Sequence, residues 1–435
     1  MSTAALRQLA AESFVIEGGR PLGGRIRAAG NKNGALPILA ACLLTGEPVT
    51  LENVPRIDDV ESMIGLLQAL GAEADWTGPN EVRVHAAELV THEVDELLAD
   101  RIRASFLLAG PLLARLGREW VPPPGGDVIG RRRLDPHLHA FERLGAEIAV
   151  GERYDLQAEA LRGTDIYLDE ASVMGTENTL MAASLAPGET RISNAASEPH
   201  VQDLCRFLVS LGARIEGIGS NVLHVTGVDR LAGGHYRIGP EHIEVASFIG
   251  LAAVTGADVT IDEAQPEDLI SILPAFERLG IRVELGDTWV RVPPNQELVI
   301  RSDIGGYTPK IEDGPWPAFP ADLTSIAVAV ATQARGDILI HEKMFENRLV
   351  FVDKLVSMGA RIIPCDPHRV VVIGPSRLYG QRMSSPDIRA GMALLIASLC
   401  AEGTSTIGNV SEIDRGYERI DERLRSLGAS IERVA

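Results

Sequence analysis

One phrase recurs six times along this chain, and a repeat of that kind constrains the fold more than any local propensity. It reads LLQALGAEADW (Leu66 to Trp76), FERLGAEIAV (Phe141 to Val150), FLVSLGARIEG (Phe207 to Gly217), FERLGIRVEL (Phe276 to Leu285), LVSMGARIIP (Leu355 to Pro364) and LRSLGASIER (Leu424 to Arg433). The shared glycines, Gly71, Gly145, Gly212, Gly280, Gly359 and Gly428, lie 74, 67, 68, 79 and 69 residues apart. In each copy the spacing predicts an amphipathic helix that runs into a Gly able to take positive φ, followed by an alternating strand.

Upstream of most copies stands a second, Ala- and Leu-rich helix, read as Ala35 to Leu44, Thr179 to Leu185, Val245 to Val254, Leu323 to Thr332 and Gly391 to Leu399. These helices carry too little polarity for a solvent face and are expected to be buried on most sides. A strand follows them at Pro48 to Glu52, Glu189 to Ser193, Asp258 to Ile261, Asp337 to Ile340 and Thr404 to Ile407, and a hairpin closes the unit, as at Arg214 to Gly217 with Val222 to Thr226. The sixth copy reaches Ala435 before its hairpin is complete, whereas Phe14 to Leu22 parallels the hairpin strands Leu223 to Leu231 and Val370 to Leu378. The N-terminal strand is therefore expected to close the last repeat. The chain reads as α/β, with a discontinuous domain, 1–31 plus 240–435, holding both termini, and an inserted domain, 32–239, carrying the irregular stretch 121–137.

Composition narrows the function classes. Forty-one basic against 60 acidic residues leave a formal charge of −19, which repels a nucleic-acid backbone, so no nucleic-acid partner is expected. The apolar runs at Gly34 to Gly46, Ala104 to Ala114 and Ala390 to Ala401 are shorter than the roughly 18 residues a membrane span needs, and Met1 to Phe14 shows no export signal. No membrane insertion and a cytosolic location are the expectation. Cys42, Cys205, Cys365 and Cys400 show no CxxC spacing and read as buried thiols, with neither a disulfide framework nor structural zinc.

The chemistry collects at the entries of the inner helices: Lys32-Asn33, Asp100 to Arg103, Ser172 to Asn178, Glu241 to Glu244, Asp322, and Asp387 to Arg389. Helix N-termini offer unpaired N–H groups to anions, but Asn33, Ser172 and Glu244 read equally well as helix caps. Lys32, Arg103 and Arg389 oppose the helix dipole there, which points to an anionic ligand. The stretch Val121 to His137 breaks the repeat with three prolines and two glycines before Asp127, and reads as an exposed loop. Its Arg131-Arg132-Arg133 run is either a solvated face or an anion cluster; GGDVIG lacks the Lys-Ser/Thr of a P-loop, and His137 with His139, two apart, makes no helical metal pair.

Five motifs carry a resemblance that runs end to end: GNKNGALPILAACLL (Gly30 to Leu44), PGGDVIGRRRLDPH (Pro124 to His137), PAFPADL (Pro317 to Leu323), FENR (Phe345 to Arg348) and IDRGYERIDERLRSLGASIERV (Ile413 to Val434). The chain resembles the UDP-N-acetylglucosamine 1-carboxyvinyltransferases, enolpyruvyl transferases that open peptidoglycan synthesis and are similar to 5-enolpyruvylshikimate-3-phosphate synthase. The resemblance implies a two-domain enolpyruvyl transferase fold of six βαβαββ units, three per domain, with the active site in the cleft between them. It implies phosphoenolpyruvate and UDP-N-acetylglucosamine as substrates, with no cofactor and no metal. Lys32, Arg132, Arg389 and Arg415 match the family's cations for phosphoenolpyruvate, Asn33 a neighbouring contact, and Asp322 the base for the sugar 3-hydroxyl. Arg103 matches a nucleotide-sugar contact, and Arg132, Arg133, Leu134, Asp135, His137, Ser172, Val173, Met174 and Met344 lie where the family binds the uridine nucleotide. Lys32, Asp127, Asp322 and Arg415 form the catalytic set.

Three positions depart from the family pattern. Asp127 replaces the usual loop cysteine as proton donor, Met174-Gly175 replaces Gly-Ala, and Arg133 replaces a proline. The carboxylate at 127 implies resistance to fosfomycin, which alkylates that cysteine. An enolpyruvyl transferase acting on another uridine nucleotide in antibiotic synthesis, and a non-catalytic UDP-sugar-binding paralogue, are the alternatives.

Overall fold

The computed structural model describes residues 12–126 and 129–435. Each recurring phrase folds as the C-terminal half of an outer helix, a reversing glycine and a strand. The outer helices are Asp58–Ala69, Asp135–Leu144, Pro199–Ser210, Leu273–Arg278, Val352–Ser357 and Ile420–Ser426. All six glycines that follow them have φ between +86° and +105°, a region closed to most side chains, which is why Gly recurs there.

The inner helices are α1 (Lys32–Ala41), α2 (Ala109–Leu116), α3 (Val173–Ala183), α4 (His242–Thr255), α5 (Thr324–Ala331) and α6 (Ile388–Cys400). Four of them, α1, α3, α4 and α6, start three to six residues before the apolar runs that mark them in the sequence. Their first turns interrupt the apolar run, with Lys32-Asn33, Gly175-Thr176, His242 with Glu244, and Arg389, so hydrophobic periodicity does not detect them.

Among the described residues six sheets accompany the six copies, five of four strands and one of three. Ser13–Glu17 lies between Thr404–Gly408 and Ser430–Val434, antiparallel to both, and so supplies the strand that the last copy lacks. Among the described residues the second copy's sheet holds Arg118–Val121, Tyr154–Gln157 and Glu147–Val150, with a parallel bridge between Glu93 and Trp120 at the place of a fourth strand.

The chain divides into two compact units, Met1–Ala28 with Val128–Arg131 and Pro240–Ala435, and Ala29–Asp127 with Arg132–Gly239. Each encloses its own apolar core. In the first unit α4, α5 and α6 pack on one another, and Gly250 makes this possible: a Cβ there would come within 3.0 Å of Val330 and 3.2 Å of Ile326. Phe248, Phe276 and Phe351 are wholly buried in that core, each worth roughly 1.5–3 kcal/mol of transfer free energy. Among the described residues no helix is long and apolar enough to cross a membrane.

The cysteines correct one expectation. Cys42 and Cys205 are buried and Cys400 half-buried, but Cys365 is exposed. It lies on the edge strand Arg361–Asp366, where alternation puts it on the same outward face as Arg361 and Ile363, opposite the buried Ile362.

Candidate active site

In the unit that begins at Ala29, the start of α1 is capped by Asn31, whose side chain accepts the Gly34 N–H at 3.1 Å. Asn33 is therefore not the cap, because it lies inside the first turn. Lys32 is nearly buried and its Nζ is 2.7 Å from Asp59, in the first turn of the outer helix Asp58–Ala69. The cation that opposes the dipole is thus held by a carboxylate from the neighbouring helix. Ser172 caps α3 through the Gly175 N–H at 3.1 Å, and Val173 and Met174 form its half-buried first turn.

The stretch 121–137 is less of a loop than its composition implies. Val121 ends a strand, and Asp135 opens a helix with Pro136 in its first turn. Gly125 lies against the turn at Asp100, whose carbonyl oxygen would be 1.8 Å from any Cβ at that position, and Gly126 has φ +90°. Two glycines are needed for the backbone to lie this close. Arg103, at the start of a 3₁₀ turn Arg103–Leu108, donates to the Arg132 carbonyl. Burial, with Arg132 nearby, lowers its pKa to about 10. Arg133 reaches Asp135 at 3.3 Å and Asp169 at 3.0 Å, while Leu134 precedes the helix.

His137 is buried, and burial followed by the Arg103 charge lowers its pKa to about 3. The neutral ring takes a hydrogen bond at Nδ1 from the Asn178 amide, 2.9 Å away, which leaves the proton on Nε2. Asn178 also donates to the Phe106 carbonyl and accepts the Gly110 N–H. This ring therefore ties the start of its helix to α2 and α3. Arg103, Arg132, His137 and the start of α3 come together, and Gly175 lies so close to Pro136 that a Cβ would meet it at 3.1 Å. Asp127 lies outside the described residues.

In the other unit Asp322 receives two arginines. Arg348 Nη2 donates to one carboxylate oxygen at 2.6 Å, and Arg389 donates to the other from Nε at 3.0 Å, with its Nη2 at 2.9 Å. Both arginine side chains are about 4% exposed. Asp387 caps α6 by accepting the Arg389 and Ala390 N–H groups at 2.9 Å and lies 3.8 Å from Arg348 Nη1. Burial opposes the Arg389 charge, but Asp322, Tyr417 and Glu241 outweigh it and push its pKa up. The Tyr417 ring lies 5.5 Å beneath that guanidinium.

Arg415, two residues before Tyr417, bonds Glu412 at 2.7 Å. Its turn can sit on α6 because Gly391 and Gly416 leave room; a Cβ at either would lie within 2.5 Å of Ile413 or Ile388. The Met344 N–H donates to Asp313 at 3.2 Å. Glu244 is not the cap of α4: Glu241 takes the Ile243 N–H, and Glu244 binds Arg423 with both oxygens at 2.7 Å.

Two atoms of this cluster lack any hydrogen-bond acceptor among the described residues: Nε of Arg348 and Nη1 of Arg389. Buried guanidinium N–H groups seldom stay unpaired, so these two spare donors beside the Asp322 carboxylate are chemically suited to an anion. Sequence reasoning missed Arg348. FENR stood among the recognisable motifs, but nothing in its spacing brings position 348 against position 322. It missed Asp59 for the same reason.

The family described as EPSP synthase (3-phosphoshikimate 1-carboxyvinyltransferase) matches residues 16–424. The chain belongs to that family. UDP-N-acetylglucosamine 1-carboxyvinyltransferase of Bradyrhizobium diazoefficiens is 59% identical over 423 residues, covering 97% of this chain and 98% of its own. The protein of the same name from Treponema denticola is 53% identical over 419 residues, covering 96% and 98%. Among solved structures, the enolpyruvyl transferase NikO from Streptomyces tendae superposes with a TM-score of 0.87 at 24% identity, over 98% of this chain and 99% of that one. EPSP synthase from Acinetobacter baumannii gives 0.76 at 17% identity over 98% and 100%. These two establish the enolpyruvyl transferase fold.

Proposed function

We propose that this family member transfers the enolpyruvyl group of phosphoenolpyruvate to the 3-hydroxyl of UDP-N-acetylglucosamine with release of phosphate, the first committed step of peptidoglycan synthesis. The observation that carries the reading is Asp322 held between two buried arginines with N–H groups to spare. The full-length relatives at 59% and 53% identity support the choice of acceptor.

The sugar hydroxyl loses its proton to Asp322 as its oxygen bonds to C2 of phosphoenolpyruvate, while Asp127 delivers a proton to the C3 methylene. Loss of a proton from C3 and departure of phosphate then restore the double bond on the acceptor. Lys32, Asn33, Arg132, Arg389 and Arg415 hold the phosphate and carboxylate, and fixed cations there stabilise charge that grows in the transition state. Arg103, Arg132, Arg133, Leu134, Asp135, Ser172, Val173, Met174 and Met344 receive the nucleotide sugar, together with His137, which acts by fixing the helix start through Asn178. The reaction belongs in the cytoplasm. A carboxylate at 127 is a poor nucleophile towards an epoxide, so the enzyme resists fosfomycin.

Phosphate release measured with phosphoenolpyruvate and UDP-N-acetylglucosamine tests the reading. Release should require both compounds. Release with shikimate 3-phosphate and none with the nucleotide sugar would overturn it.

A further inference from the structure

In the unit that begins at Ala29, two helix starts face each other with side chains of opposite charge. Lys32 opens α1 and Asp59 lies in the first turn of the outer helix Asp58–Ala69, with Nζ and Oδ2 2.7 Å apart. Both side chains are nine-tenths buried or more. The backbone brings them together. Gly30 lies so close to the turn before the outer helix that a Cβ there would be 1.7 Å from the Asn53 carbonyl oxygen and 3.2 Å from Pro55. The Asn53 side-chain amide donates to the Ile238 carbonyl at 2.9 Å, and the Asn31 N–H donates to the Gly239 carbonyl at 2.8 Å. Both approaches to the ion pair are therefore fixed to the same stretch, Ile238-Gly239.

The two charges fare differently at their helix starts. The dipole favours a carboxylate in a first turn and opposes an ammonium there. Burial adds a desolvation penalty to both, and a buried ion pair is often no more stabilising than two apolar side chains of similar volume. Stability alone therefore does not account for a lysine at this position.

We propose that Asp59 is a positioning residue for the reaction: it fixes the Lys32 ammonium where phosphoenolpyruvate meets it, and it acts on turnover through Lys32. The ammonium stands on a flexible four-carbon stem, and the carboxylate 2.7 Å away takes up that freedom. An ammonium has three N–H donors, of which this contact uses one. Asp59 itself carries the same sign of charge as phosphoenolpyruvate, so what it adds is orientation rather than attraction. This role rests on the reading of Lys32 as a cation for phosphoenolpyruvate.

The test is kcat and KM for phosphoenolpyruvate, by phosphate release at saturating UDP-N-acetylglucosamine, for the unmodified chain, Asp59→Asn, Lys32→Met and the double variant. Folding of each is checked by urea denaturation. Asp59→Asn should lower kcat by about 10²-fold, the effect of a misplacement of roughly 1 Å, while KM moves by less than about fivefold. Lys32→Met should lower kcat/KM at least as far. Adding Asp59→Asn to it should change kcat/KM by less than about threefold, because residues that act as a unit do not add their losses. Losses that multiply in the double variant overturn the proposal. So does an Asp59→Asn protein whose kcat stays within about threefold of the unmodified chain, or whose loss lies wholly in KM. Each single variant removes one charge of a buried pair and the double variant removes both, so the double variant should be the most stable of the three. Should Asp59→Asn fail to fold, Lys32→Met and the double variant decide: equal kcat/KM supports the role, and a further loss beyond about threefold overturns it. Should Lys32→Met fail to fold, kcat and KM of Asp59→Asn decide. No phosphate release by the unmodified chain would refute the proposed reaction, and undiminished release by Lys32→Met would refute Lys32 as the substrate cation; either removes this role with it.

Discussion

Asp322 is a carboxylate whose two oxygens are already taken by guanidinium groups, and that arrangement sets what a substitution would do. Asp322→Asn keeps the shape and loses the basic oxygen. Turnover should fall by about 10³-fold, within the usual range for removing a general base, while nucleotide-sugar binding by calorimetry changes only severalfold. Retention of more than a tenth of the turnover would remove Asp322 from the base role. Position 127 makes a second residue-scale prediction. Asp127→Cys should remain active and become sensitive to time-dependent inactivation by fosfomycin, because a thiolate attacks an epoxide where a carboxylate does not. Asp127→Asn, with no acidic proton to give, should lose most turnover; a fully active Asn variant would sink the proton-donor assignment.

The starts of the inner helices show what one element contributes. At α1, α4 and α6 the helix start does two things at once, satisfying a backbone N–H group through its cap and presenting a charged side chain, Lys32, Glu244 or Arg389. At α6, Asp387 accepts two backbone N–H groups and stands near Arg348, while Arg389 points back to Asp322. Asp387→Ala should lower stability by about 1 kcal/mol, the usual cost of losing an N-cap, whereas Asp387→Asn should recover most of it. Urea denaturation of the two variants separates capping from charge; equal losses in both would show that capping is not what Asp387 contributes. The outer helix ends were legible from sequence because a reversing glycine leaves one recognisable letter. The inner helix starts were not, because several polar residues stand near each start and only the position of the first turn decides which one caps: Asn31 rather than Asn33, Glu241 rather than Glu244.

At the scale of the whole molecule, each unit carries its own core, and buried acids lie in both. Glu119 is fully buried in the strand Arg118–Val121, with no hydrogen-bond partner for either oxygen among the described residues, and burial raises its pKa well above the ordinary 4.5. Glu177 in α3 is raised by burial and then by Glu198. As pH rises above the ordinary 4.5 the folded chain therefore holds protons that the unfolded chain has begun to release. The sign follows: stability falls as pH rises from the unfolded value towards the raised one, by up to ~1.4 kcal/mol per pH unit for each such group. Glu119→Gln has no proton to hold. The difference in unfolding free energy between it and the unmodified chain should grow as pH rises above 5, and a constant difference would show that Glu119 is not neutral in the fold.

Repeat count, helix and strand order, the reversing glycines and the closing N-terminal strand were all written in the sequence, because each follows from periodicity or from the one residue that tolerates positive φ. So were Lys32, Arg103 and Arg389 as chemically unusual choices for their positions, whereas Asp322 was marked as the base by the resemblance alone. What tertiary structure alone decided is which charges meet. Asp59 reaches Lys32 across 27 positions, and Arg348 reaches Asp322 across 26. No local pattern encodes those distances, because a side chain's partner is set by how helices and strands pack, and packing depends on the volume of the whole core rather than on neighbours along the chain.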